Sequence, residues 1–266
     1  MAPPRTRNTR NVEAMREVAA RISSVDDIDP HVKVLVYGAN GSGKTRFAAT
    51  APRCLIIDIT EQGTRSATGS GARKIEVDNW DDVGSLYWLL ASGKTKFESV
   101  ALDTITGLQG LAMAKVLDDA ESRDPARESR MPDKRTYGRA GELMRGMLYA
   151  FRNLPMHVIF TAQERQIRDD DTGEVLHLAV DLPNSSRGAA TAAVSILGYM
   201  KPKEVPVRNA AGKIKRKWVD ELMLTPSEDY ASLKDRTNQL GPVFRNPNVP
   251  RIIEAWANIE ETASAQ

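Results

Sequence analysis

Gly38-Ala39-Asn40-Gly41-Ser42-Gly43-Lys44-Thr45 decides the reading of this chain. Gly-x-x-x-x-Gly-Lys-Thr is a P-loop pattern, and it carries weight when a strand precedes it and a helix follows. Both are legible. The apolar run 32–37 leads into Gly38, and residues 44–50 read as a helix. Glycine at 38, 41 and 43 lets main-chain N–H groups turn inward and approach phosphate oxygens closely. The helix amino terminus adds about half a positive charge at the same place. Lys44 is then set to reach β- and γ-phosphates, and the Thr45 hydroxyl to hold Mg²⁺. The ligands expected are ATP and Mg²⁺, with Gly38, Ala39, Asn40, Gly41, Ser42, Gly43, Lys44, Thr45 and Arg46 around the nucleotide.

Outward from this loop, a carboxylate is needed at the end of a neighbouring buried strand to hold the metal's water shell. Ser99–Asp103 is an apolar strand ending in Asp103, which takes that role beside Thr45. Asp58, at the end of Leu55-Ile56-Ile57, competes for it. Hydrolysis also needs a group near the attacking water. Glu61, just after that strand, is the base candidate, and its plainer reading is a solvated turn beside Gly63. Residues 157–162 form a buried strand that ends in Gln163, an amide placed either to contact a γ-phosphate or simply to bond backbone.

Composition bounds the rest. At 266 residues, with 41% hydrophobic and 27% charged residues, the chain is long enough for one large α/β domain or two small ones. One cysteine, Cys54, excludes an intramolecular disulfide and a cysteine-based zinc site, and its apolar surroundings make it a packing residue. No signal-peptide core and no apolar run of spanning length is present, so a soluble cytoplasmic protein with no membrane partner is expected. A net charge of +2 implies no polyanion by itself.

Strand-like runs at 54–59, 74–77, 99–103, 157–162 and 195–200 alternate with helical stretches at 44–50, 80–91, 107–118, 137–154 and 185–194. That alternation predicts an α/β fold: a mostly parallel central sheet with helices on both faces. Residues 205–208 and 214–224, around Asn209-Ala210-Ala211-Gly212, read as a C-terminal β-hairpin, and a last helix spans 251–259. Residues 1–30 are expected as a flexible basic tail with a short helix at 12–22, residues 31–260 as the core, and residues 261–266 as a disordered tail.

The order of these pieces resembles the RecA-core P-loop ATPases, and within them the small phage-encoded RecA-like proteins of recombination and single-strand annealing. GANGSGKT, CLIID with Glu61, VALD with Thr104, VIFTAQ with Gln163 and the late Lys234-Asp235-Arg236 follow in the family's order. The resemblance implies that the VIFTAQ strand lies between the P-loop and VALD strands, aiming Gln163 at the nucleotide. It implies a DNA-stimulated ATPase that uses Lys44, Glu61, Asp103 and Gln163, with Lys234 and Arg236 supplied in trans within a ring or filament. It further implies two loops on single-stranded DNA. One spans about 121–139, with Arg130, Lys134, Arg135, Tyr137 and Arg139; the other follows Gln163, with Arg165 and Arg168. A single-strand-binding protein is an expected partner, and a bacterial host cell the expected setting. A nuclease or junction-processing enzyme, a hexameric helicase or loader-type motor, and a small-molecule kinase are competing readings. Acidic neighbours such as Asp118, Asp119, Asp133 and Asp169 leave a mixed-charge, solvated surface as the alternative for both loops. Lys213, Lys215, Arg216, Lys217 and Trp218 in the hairpin form a further basic run with an aromatic.

Overall fold

The structure is a computed structural model that describes residues 7–22, 24, 29–60, 62–123, 131–208 and 214–264. Helix α1 (Arg7–Ala19) precedes β1 (Lys33–Gly38), α2 (Lys44–Ala48), β2 (Cys54–Ile59), β3 (Arg73–Val77) and α3 (Trp80–Ala91). Then come β4 (Ser99–Asp103), α4 (Ile105–Arg123), α5 (Lys134–Arg152), β5 (His157–Arg168), β6 (Val175–Val180) and α6 (Asn184–Ala192). The chain closes with β7 (Ile196–Arg208), β8 (Ile214–Met223), β9 (Lys234–Asp235), β10 (Val243–Arg245) and α7 (Val249–Ser264).

The sheet runs β10-β8-β7-β1-β5-β4-β2-β3, with β6 on β5 and β9 on β7. From β7 to β3 every pairing is parallel. Strands β1, β2 and β4 are buried along their whole length, as continuous apolar runs must be when both faces of a parallel sheet are covered. The pleat sends alternate residues to opposite sides. Leu35, Tyr37, Ile57 and Leu102 join Val83, Leu108, Met144 and Ala190 of α3 to α6. Val34, Val36 and Ile56 instead meet Phe47 of α2 and Ile252 of α7. The expected α/β fold with helices on both faces is the fold found.

Local chemistry sets the helix starts. The Asn79 side chain accepts from Asp82 N–H at 2.9 Å, and Asp133 accepts from Thr136 N–H at 2.7 Å, capping α3 and α5. Cys54 is buried as expected, and burial raises its thiol pKa to about 12.

Several boundaries differ from expectation. Helix α1 starts at Arg7, inside the stretch read as mobile, and α7 continues to Ser264, inside the stretch read as a disordered tail. Strong helix formers carry α7 onward through Glu260, Glu261 and Ala263. Helix α2 stops at Ala48, ahead of the turn toward Pro52. Strands β5 and β7 overshoot the core by several residues, because each folds back on an antiparallel partner, β6 and β8.

Candidate functional site

The site sits at the carboxyl ends of β1, β4 and β5. Strand β1 delivers Gly38, where an added Cβ would lie 2.3 Å from the Met200 carbonyl oxygen, so no side chain fits there. Gly43 starts α2 with φ 95°, a left-handed conformation that glycine takes without strain. The loop between them folds back on its lysine. Lys44 Nζ donates to Gly38 O at 2.7 Å, Ala39 O at 2.9 Å and Gln163 Oε1 at 3.2 Å. Gln163 reaches it because β5 pairs beside β1, with Gly38 opposite Gln163. Strand β5 also pairs with β4 on its other side, so the VIFTAQ strand does lie between the P-loop and VALD strands.

Thr45 Oγ1 donates to Asp103 Oδ2 at 2.7 Å, and the Thr161 hydroxyl donates to Asp103 Oδ1. The peptide between Asp103 and Thr104 is cis. Thr45 and Asp103 therefore present a hydroxyl and a carboxylate together, an oxygen pair suited to Mg²⁺, which takes a few protein oxygens beside water and phosphate. Among the described residues no cluster of three or more His, Cys, Asp or Glu could hold a metal without such help. A cleft of about 560 Å³ joins Lys44, Thr45, Arg46, Asp103, Thr104 and Gln163 with Asn40, Gly41, Gly43, Gly63 and Ser66. Ser42, within the loop, is nearly fully buried.

Asp58 pairs in register with Asp103 but does not line this cleft: it is 1% exposed and its Oδ2 accepts from Thr64 Oγ1 at 3.0 Å. Of the two acids, Asp103 alone lines the cleft. Glu61 lies outside the described residues. Thr161 and Thr64, which orient the acids, escaped the sequence reading, since one threonine in an apolar strand and another in a loop carry no motif. Asp220 escaped as well. It reaches from β8 to Arg46 at 2.6 Å and ties the phosphate loop to the hairpin.

The remaining candidates stand elsewhere. Lys134, Arg135, Tyr137 and Arg139 are on the first turns of α5, not in a loop, because the Asp133 cap starts the helix there. Arg123, Arg135 and Arg139 line a cleft of about 240 Å³ with Asp133. Arg165 and Arg168 are on the β5–β6 hairpin rather than in a loop, and Arg168 bonds Gly173 O at 2.8 Å within it. Arg130 lies outside the described residues. Lys234 and Arg236 lie at the other end of the sheet from this chain's own P-loop: Leu197, near the start of β7, pairs with Lys234, and Arg236 N–H donates to Ser195 O. The Lys234 amine donates to Thr191 O, and burial, with Arg236 nearby, lowers its pKa. Arg236 is exposed and shares a cleft of about 510 Å³ with Lys33 and Arg152.

A family model described as an AAA domain matches residues 31–237. The chain belongs to this AAA domain family. The chain therefore carries a P-loop ATPase domain, and the P-loop, the Thr45–Asp103 pair and Gln163 all lie within the matched residues. Among solved structures, a KaiC-like protein from the hyperthermophilic archaeon Pyrococcus horikoshii OT3 is similar at 10% identity, with TM-score 0.39, over 71% of this chain and 77% of that one. No curated protein matches the chain. Among the described residues of this AAA-domain chain, no helix is long and apolar enough to cross a membrane.

Proposed function

We propose that this AAA-domain chain hydrolyses ATP while bound to single-stranded DNA, in recombination or strand annealing of the kind carried out by phage-encoded RecA-like proteins inside a bacterial host cell. The observation that carries the reading is the continuity of β5. The strand whose Gln163 touches the P-loop lysine runs on, without a break, into the hairpin bearing Arg165 and Arg168. A rigid strand joins a group at the γ-phosphate position to cations suited to a polyanion. The arginine-lined cleft at α4 and α5 adds a second basic surface, with Tyr137 exposed beside it.

Lys44 and the loop N–H groups attract and orient the phosphates. Mg²⁺, held by Thr45 and Asp103, would neutralise phosphate charge when bound. Gln163 senses the terminal phosphate, and Glu61 orients the attacking water. Lys234 and Arg236 serve a neighbouring copy in a ring or filament; support for action in trans is their distance from this chain's own cleft and the exposure of Arg236. A single-strand-binding protein is the partner that would clear and deliver the DNA.

The test is binding and turnover with single-stranded DNA. Stimulation of ATP hydrolysis that weakens as salt rises is the expected result. Turnover indifferent to DNA would remove the DNA reading and leave a nucleotide switch or kinase. Mg²⁺-dependent DNA cleavage that survives Lys44→Ala would make the chain a nuclease instead.

A further inference from the structure

Strand register gathers four lysines of one hairpin onto a single face. Strands β7 and β8 pair from Tyr199 opposite Met223 to Arg208 opposite Ile214. Strand β1 ends at Gly38 and pairs with β7 no further than Tyr199, so the rest of the hairpin is an arm rising past the phosphate loop. In an antiparallel ladder, directly opposed residues share a face and neighbours along a strand alternate. Lys201, Lys203, Lys215 and Lys217 therefore share one face, with Val205, Val207 and Val219 among them. Arg216 and Trp218 fall on the other. The run Lys215-Arg216-Lys217-Trp218 is thus split by the pleat, and Lys201 and Lys203 of the paired strand complete the cationic face.

That face carries little opposing charge. Lys215 lies opposite Val207 and Lys217 opposite Val205. Its acid, Glu221, sits buried at the base, where it meets Lys203 at 3.6 Å and Arg245 at 3.2 Å. Glu204 pairs with Arg216 on the reverse face at 3.0 Å. Lys201 Nζ lies 5.9 Å from the centre of the Tyr230 ring. Like charges two residues apart on one strand repel, so a face built this way is stabilised by a polyanion laid along it. The same-face repeat, ~6.7 Å along a strand, is commensurate with successive phosphates of an extended single strand.

We propose that the lysine face of the β7–β8 arm binds the phosphodiester backbone of single-stranded nucleic acid, as a contact separate from those on α5 and the β5–β6 hairpin. This deepens the DNA reading above and rests on it. The arm is joined to the phosphate loop at its base through the Arg46–Asp220 pair and the close approach of Met200 O to Gly38.

The experiment is anisotropy of a fluorescein-labelled oligothymidylate titrated with full-length protein across a salt series. Proteins compared are wild type, Lys215→Gln/Lys217→Gln, Lys215→Arg/Lys217→Arg and Lys134→Gln/Arg135→Gln. Each neutralised phosphate of a single strand contributes about 0.7 to the salt slope, so the arm Gln pair should flatten it by roughly 1.4. Its affinity at low salt should fall roughly tenfold, while DNA-free ATP turnover stays at the wild-type rate and the Arg pair restores both slope and affinity. A wild-type slope in the arm Gln pair, or failure of the Arg pair to restore binding, overturns the arm contact and leaves the DNA reading standing. No binding by the wild-type protein overturns both.

Discussion

Asp58 and Asp103 stand side by side between β2 and β4, and their hydrogen bonds give them different work. Asp103 accepts from Thr45 and Thr161 at the floor of the cleft, whereas Asp58 is turned to Thr64. Asp103→Asn should therefore lower Mg²⁺-dependent turnover by roughly a hundredfold, the scale of removing one preorganised electrostatic group. Asp58→Asn should keep the Mg²⁺ dependence of the wild type; a metal titration of both variants decides between them. Lys44→Ala should abolish turnover or nucleotide binding, read by hydrolysis and by a fluorescent nucleotide. Glu61→Gln should preserve ATP binding and slow hydrolysis, and an unchanged rate would remove Glu61 as the base.

At the level of elements, the buried strands and the C-terminal hairpin were legible, and the outward run of β5 was not. Cys54–Ile59 and Ser99–Asp103 are apolar throughout, so their bounds follow from hydrophobicity alone. The outer half of β5, Glu164-Arg165-Gln166-Ile167-Arg168, has no apolar face to reveal it, and only its ladder with β6 makes it a strand. In β7, residues 205–208 are expected as a hairpin strand, and only Lys201 to Glu204, which join them to the core strand, are not. The P-loop was legible because its glycines, lysine and threonine act locally. The Arg46–Asp220 pair was not, since 174 residues separate its members. Gly38→Ala tests the contact between loop and arm. An added methyl 2.3 Å from Met200 O must push backbone aside, and overpacking of this kind costs about 1–3 kcal/mol. A lower melting temperature with weakened nucleotide binding is expected, and wild-type values for both would show that the contact yields freely.

For the whole molecule, sheet order puts the P-loop cleft at one end and a buried histidine at the other. His157 opens β5 at the end far from the P-loop, where its Nδ1 accepts from Val32 N–H at 3.1 Å. Burial first, then His31 and Lys33, lowers its pKa from 6.5 to about 4. A depressed folded pKa means the unfolded chain takes up a proton first on acidification. The contribution of His157 to stability is thus full above about pH 6.5 and lost progressively as pH falls through about 4. His157→Asn should flatten that part of the profile in urea unfolding, and an unchanged slope would assign it to other groups. The parallel order β1-β5-β4 places Gly38, Gln163 and Asp103 at the other end, which is why the site assembles from segments 65 and 60 residues apart along the chain.

The most direct measurement is ATP hydrolysis by the full chain with and without single-stranded DNA, at low and high salt, beside Lys44→Ala. Salt-sensitive stimulation in the wild type, absent in the variant, is the predicted result. Hydrolysis that survives Lys44→Ala, or a wild-type rate that DNA does not change, would contradict a DNA-stimulated ATPase centred on this loop.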